Sequence, residues 1–370
     1  MTRKENLRRV LRGAMPNWVP FAPNFQQWFT HHKTFNILPA ELRGCADYID
    51  AMKALGCDIF SRNLDGGLRK EDTALKALET VATLPIGPRR TIQYETPYGT
   101  IREIHQTQSA MSTSYQEEYL VKDWGRDGDA FRCFMDQRRY RWDEEAFRAT
   151  HARIGDDGII SVSVGVTPLK MLHLYFGLEY ACLFVMDEPE AAKALCDDYW
   201  QQKIRPVLHT LANHPLVESA ILMDNVDTPF YPPGLAAEYW TPYVKEAADI
   251  MRAKGKTLFV HACGKLAGLS GEFAKARVSG LEGISHPSLG DWPVAAAQAC
   301  HPDFIFVGGF SACEQEGLSD PQVRAFYRDY LATAKKERFI FSSSCQTSIG
   351  TPWERIKLVR DICREWGGSP

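Results

Sequence analysis

Short apolar runs of strand length recur along the chain, separated by longer stretches with apolar residues at helical spacing. The runs fall at 19–25, 57–62, 159–164, 218–224, 257–261, 281–285, 304–308 and 339–343. These runs are rich in β-forming residues and read as strands. Helical periodicity covers 40–55, 235–254, 321–336 and 353–366. Gly56, Gly158, Gly255 and Gly280 stand just before strands, where a helix stops and a strand begins. Strands alternating with helices predict a parallel sheet, and eight such units predict a closed (β/α)8 barrel. An open doubly wound sheet is the alternative, but no Gly-rich dinucleotide fingerprint follows the first strand.

One stretch breaks the rhythm. Residues 90–106 alternate around Thr96-Pro97-Tyr98-Gly99, which predicts a β-hairpin, and 115–153 reads as helical, aromatic and strongly charged. The organisation expected is one α/β barrel domain over 1–370, with an insertion at about 88–155 between the second and third strands. Insertions of this length are usually lids, substrate walls or subunit contacts.

Composition narrows the classes of function. The chain has 370 residues, 45% hydrophobic and 24% charged, with a net charge of −3. That balance excludes a strongly basic nucleic-acid surface, so no nucleic-acid partner is expected. The charged start, Met1 to Asn6, is followed by no apolar signal region, and no apolar run is long enough to span a bilayer. No membrane partner and a cytoplasmic location are expected. The ten cysteines form no CxxC and no compact disulfide spacing, so they read as reduced thiols.

The chemistry concentrates in Leu258-Phe259-Val260-His261-Ala262-Cys263-Gly264. His261 and Cys263 are two residues apart and on an extended chain point the same way. They end a strand, on the side where barrel enzymes carry their active sites. The His-x-Cys pattern alone is weak, because ten histidines and ten cysteines make a chance occurrence about a one-in-four event. Cys345 follows the last strand at the same mouth, in Ser342-Ser343-Ser344-Cys345. No linear spacing brings it to the other two. If the three converge, two thiolates and one imidazole select zinc and leave a fourth tetrahedral position open, as catalytic sites do. Such a metal can deprotonate a thiol or polarise an ether or hydroxyl oxygen, and both actions suit methyl transfer.

Other residues carry a bland reading beside the chemical one. Asp224 ends the 218–224 strand, and binds substrate, orients a ligand histidine or caps a turn. His286 ends the 281–285 strand and reads as a wall or hydrogen-bonding residue rather than a ligand. Arg62 and Asn63 end the 57–62 strand and meet a polar substrate or cap the loop. Trp28, Phe29, Phe230 and Tyr231 form an aromatic wall or core, and the adjacent His31 and His32 read as solvated.

With these residues in place the chain resembles the uroporphyrinogen decarboxylase superfamily along nearly its whole length. The resemblance rests on the opening Arg3-Lys4-Glu5-Asn6-Leu7-Arg8-Arg9-Val10-Leu11-Arg12-Gly13, the Thr96-Pro97-Tyr98-Gly99 hairpin and the closing Gly350-Thr351-Pro352-Trp353-Glu354. Within that superfamily, His-x-Cys with a late Cys is similar to the zinc-dependent, corrinoid-linked methyltransferases. These include methylcobamide:coenzyme M methyltransferases and the methyltransferase components of O-demethylases. The resemblance implies a (β/α)8 barrel and zinc held by His261, Cys263 and Cys345. The chain departs from the decarboxylase itself. The arginine-rich signature is missing around 19–33, and Phe60-Ser61-Arg62 stands where the family has Phe-Ser-Asp.

The function expected is zinc-dependent transfer of a methyl group between a small methylated substrate, a methyl ether among the candidates, or a thiol, and a corrinoid. No Asp-x-His-x-x-Gly cobalamin signature is present, so the corrinoid partner is a separate protein or free cobalamin. The catalytic candidates are Asp224, His286, Arg62 and Asn63. A cofactor-free decarboxylase and a non-catalytic zinc or corrinoid carrier are the alternatives.

Overall fold

A computed structural model describes residues 1–72, 75–287 and 289–370. The chain divides into two compact units. The first comprises Met1–Gly67, Asp143–Gly165 and Leu208–Pro370; the second comprises Leu68–Trp142 and Val166–Val207.

The first unit is built on a seven-stranded sheet in sequence order. Its strands are β1 (Ile59–Ser61), β2 (Gly158–Ser163), β3 (Ser219–Val226), β4 (Thr257–Ala262), β5 (Gly280–Ile284), β6 (Ile305–Phe310) and β7 (Phe339–Ser343). Every neighbouring pair is parallel. The apolar composition of these runs is explained by burial: β2, β5, β6 and β7 are buried along almost their whole length.

The 19–25 run is not a regular strand. Phe21 forms one isolated parallel bridge to Phe341, and its carbonyl accepts from the Asp58 N–H at 2.8 Å. Pro20 and Pro23 flank it and have no N–H to donate, so the ladder cannot extend. The expected helix at 235–254 is two helices, Pro233–Tyr239 and Thr241–Arg252, because Pro242 starts a new first turn. The 40–55 pattern yields a short 3-10 turn at Ala40–Leu42 and an α-helix over Tyr48–Leu55, where the Asp47 carboxylate caps the N–H groups of Ile49 and Asp50.

The core of the sheet sets the phase of everything above it. Phe60, Ile159, Ile221, Phe259, Ile305, Val307 and Ile340 pack in one cluster, joined by Leu7 and Val10 of the first helix, Arg3–Leu11. Phe60 and Phe259 meet edge to face at 5.3 Å. Two residues further along, the same strand faces carry Arg62 and His261.

The second unit is richer in strand than its sequence suggests. A four-stranded antiparallel sheet runs through Lys76–Leu84, Gly87–Thr96, Gly99–Gln108 and Thr113–Glu118, with the 97–98 turn at its centre. Leu68–Asp72 pairs with Arg138–Trp142. The stretch read as helical from 115 to 153 therefore opens in a strand paired with its neighbour Gly99–Gln108 and is interrupted by another whose partner, Leu68–Asp72, is distant in sequence. Helix Trp124–Gln137 buries Phe131 and Phe134 against Tyr175 and Phe176. Among the described residues no single helix is long and apolar enough to cross a membrane.

Candidate metal centre

His261, Cys263 and Cys345 converge. One donor atom from each lies within 4.8 Å of the others. The first two follow from strand phase: Phe259 points into the core, so His261 and then Cys263 continue on that face past the end of β4. Cys263 has left the sheet's regular pairing, but its N–H still reaches the Val226 carbonyl at 3.2 Å. Cys345 arrives from β7 by a different device. Three serines pin the end of β7 and the turn after it: Ser342 donates to the Ala22 carbonyl, Ser343 accepts from the Asn24 N–H, and Ser344 donates to the Phe310 carbonyl.

The sharpest signal that sequence reading missed is Glu282. It is the register partner of His261 on β5, and its carboxylate is hydrogen-bonded to His261 Nδ1. A carboxylate inside an otherwise apolar strand, Gly280-Leu281-Glu282-Gly283-Ile284, was the available clue. Arg62 donates from Nε to the same carboxylate at 2.9 Å, and both side chains are under 10% exposed. Both contacts fall on one carboxylate oxygen of the buried glutamate, Oε2.

This arrangement fixes the imidazole. With Nδ1 committed to Glu282, Nε2 is the free donor, and it lies 3.8 Å from Cys345 Sγ. Zinc bonds of about 2.3 Å to sulfur and 2.0 Å to nitrogen put such ligand pairs roughly 3.6 Å apart in a tetrahedron. The donor set therefore fits zinc in chemistry, the His261–Cys345 separation is close to that of such a ligand pair, and the Glu282 carboxylate stands behind the histidine as a frequent partner of ligating imidazoles.

The charges shift one another as buried neighbours must. The hydrogen bond from the Cys263 thiol holds Cys345 well below the ordinary thiol range against the cost of burial, helped by His261 and Arg62. The same bond, with burial, holds Cys263 above it. Burial opposes charge on His261, but the Glu282 carboxylate and the hydrogen bond with Cys345 together outweigh it and the net shift is upward. Burial likewise opposes ionisation of Glu282 and is outweighed by Arg62 and then His261.

Asn63 and Arg62 are joined to this centre through intermediaries. Asn63 Nδ2 donates to Asn24 Oδ1 at 2.7 Å, and Asn24 Nδ2 donates to the Cys345 carbonyl at 2.6 Å. Asn24 was not singled out from sequence and nothing local marks it. Asp224 is fully buried on β3; its carboxylate accepts from Trp240 Nε1 at 2.8 Å and its carbonyl from the Tyr231 hydroxyl. His286 is 30% exposed, with Nδ1 at 3.9 Å from a Glu314 carboxylate oxygen, edge-on to Phe326 and Tyr330. Neither belongs to the three-residue cluster. Of the aromatic candidates, Trp28, Phe29 and Tyr231 are core; Trp28 stacks on Trp353 and His32. Phe230 is exposed.

Fold and site together define an α/β protein with a parallel sheet and a Cys2His cluster at the carboxyl ends of its strands. The chain belongs to the uroporphyrinogen decarboxylase (URO-D) family, whose model matches residues 168–366. Among solved structures it is similar to a methyltransferase from Methanosarcina mazei. That likeness has 12% identity and a TM-score of 0.66, covers 99% of each chain, and shows a shared fold. A Listeria monocytogenes protein assigned as a vitamin-B12-independent methionine synthase aligns at 15% identity and a TM-score of 0.45, over 95% of this chain and 97% of that one. No curated protein matches the chain significantly.

Proposed function

We propose that the protein is a zinc-dependent methyltransferase. It moves a methyl group between a small methylated substrate, or a thiol, and a corrinoid that is free or borne by a separate protein. The observation that carries this reading is the convergence of His261, Cys263 and Cys345 with Glu282 behind the histidine. Family membership and a fold shared with the Methanosarcina mazei methyltransferase agree with it. In this reading the first unit is a closed (β/α)8 barrel, with the Phe21 segment as its eighth stave.

The roles follow from the contacts. Bound zinc supplies a Lewis acid that favours the ionised form of a thiol or draws charge from an ether oxygen. Cys263 and Cys345 enter as thiolates, so two negative charges balance the ion and the centre is neutral before substrate arrives. His261 contributes Nε2. Glu282 holds the ring in that tautomer, and Arg62 balances Glu282, so no net charge is left beside the ligands. Arg62, at the end of a Phe-Ser-Arg run, is committed to this pair. That commitment disfavours tetrapyrrole decarboxylation, for which the family places an aspartate there.

Metal analysis of the purified protein together with a cobalamin assay tests the reading. Roughly one equivalent of zinc, and methylcobalamin formed from cob(I)alamin with a methyl ether or methyl thioether donor, are expected. Metal content well below half an equivalent that Cys263→Ala leaves unchanged would falsify it. Chelator-insensitive decarboxylation of a tetrapyrrole would replace it with the decarboxylase.

A further inference from the structure

The third ligand poses a geometric problem. Cys263 follows β4 and Cys345 follows β7, with β5 and β6 between them in the sheet. The Ser344 carbonyl, in the peptide that carries Cys345, nevertheless lies beside Gly283 of β5. Something must let the two ligand-bearing backbones come close, and something must hold the Cys345 segment there.

Gly283 lets them approach. It sits on β5 at a break in register with β6, between Glu282 and Ile284, with φ +110°. That conformation is unfavourable for any residue with a side chain. A Cβ at this position would lie 2.6 Å from the Ala262 carbonyl oxygen and 2.7 Å from the Ser344 carbonyl oxygen. These are the peptide units that immediately precede Cys263 and Cys345. Neither oxygen belongs to a side chain that could rotate aside, so a side chain at 283 would push the two ligand-bearing peptides apart.

Asn24 holds the Cys345 segment from the other side. Its amide donates to the Cys345 carbonyl at 2.6 Å, while its own carbonyl accepts from the Thr347 N–H at 2.8 Å. Asn63 fixes the orientation of that amide by donating to Asn24 Oδ1. Asn24 is itself buried, so its hydrogen bonds are shielded from exchange with water.

We propose that Gly283 and Asn24 are positioning residues for the metal centre, a notch and a strap that bring Cys345 to His261 and Cys263. The inference rests on the metal-centre reading above and adds to it the means by which the distant ligand is recruited. Without the notch or the strap the centre keeps two ligands, and its affinity and ligand field change while the sheet below is intact.

The test uses the full-length chain and the metals alone. Zinc affinity is measured by chelator competition. The thiolate-to-metal charge-transfer band of the Co2+ form counts the thiolates bound. Gly283→Ala and Asn24→Ala are compared with wild type and with Gly308→Ala. Gly308 also has a positive φ, and its Cβ would meet the Ile284 carbonyl oxygen at 2.3 Å, a comparable clash that involves neither ligand-bearing peptide. Gly283→Ala and Asn24→Ala are each expected to weaken zinc binding by about tenfold or more and to reduce the Co2+ band toward that of one thiolate. Folded Gly308→Ala should lose thermal stability yet keep wild-type affinity and spectrum. If Gly283→Ala does not fold, Asn24→Ala decides. Wild-type affinity and an unchanged two-thiolate band in either folded variant overturn the proposal. Wild-type protein that takes up neither metal overturns the metal-centre reading itself, a separable result.

Discussion

His261 and Glu282 are register partners on adjacent parallel strands, and the glutamate's hydrogen bond to Nδ1 turns Nε2 toward the Cys345 sulfur. One pairing in the sheet therefore chooses which imidazole nitrogen faces the other two donors. The choice is made by backbone register, before any metal arrives.

Glu282→Gln should therefore weaken zinc binding by about 10- to 100-fold, because a neutral amide orients the ring less strongly and makes its nitrogen less basic. Glu282→Ala should be worse in a different way. It leaves the Arg62 charge buried without its partner, a cost of roughly 3–5 kcal/mol of stability. Chelator competition reads the first effect and denaturant titration the second. Equal zinc affinity in Glu282→Gln and wild type would remove Glu282 from the centre.

Removing the metal should destabilise the wild-type fold, since binding to the native state alone adds about 4 kcal/mol at a thousandfold excess of ligand over Kd. A strong chelator is expected to lower the melting temperature of wild type. The same chelator should leave Cys345→Ser almost unmoved, because that variant has already lost its tight site. Identical chelator shifts in the two proteins would mean the stabilising ion is bound elsewhere.

Asp224 is expected to act on stability rather than on the centre. Asp224→Ala strips Trp240 Nε1 of its acceptor in the core, which costs on the order of 1–3 kcal/mol. Zinc content of the folded variant should match wild type. Loss of metal with unchanged stability would return Asp224 to the site.

Asp58 ties the Phe21 segment to β1, accepting from the Trp18 indole and from the Phe21 N–H. Burial raises its carboxyl to about 6, against the pull of those two hydrogen bonds. A folded-state value above the unfolded one means that this group's contribution is fully present below about pH 4 and is lost as pH rises through 6. The loss amounts to up to about 3 kcal/mol. Relative to Asp58→Asn, wild type should lose stability between pH 4 and 7 in urea titrations. Parallel profiles for the two proteins would show that Asp58 does not titrate in that window.

Much of the sheet was legible because its strands are buried on both faces. Continuous apolar runs such as Phe304 to Val307 admit few other readings, and a helix-stopping glycine before a run such as 57–62 marks where it begins. The two-residue spacing of His261 and Cys263 was legible for the same reason, since strand geometry alone puts both side chains on one face. The second unit was harder to read. Lys76–Leu84 is exposed along its length and carries no burial pattern, so its strand state depends on pairing with Gly87–Thr96. Pro20 and Pro23 were visible in the 19–25 run, and their missing N–H groups account for the reduction of that strand to one bridge.

The sequence by itself determined the class of fold, the face on which His261 and Cys263 lie and the donor chemistry that favours zinc. Each of these depends on local spacing and side-chain type. Spacing could not bring Cys345 to them; the family resemblance implied it, the tertiary structure shows it there, and only the tertiary structure decided that Glu282 and Arg62 stand behind the histidine and that Asp224 turns instead to Trp240. Those outcomes depend on which strands become neighbours and in what register. A chain read residue by residue carries no such information about partners up to 220 positions apart.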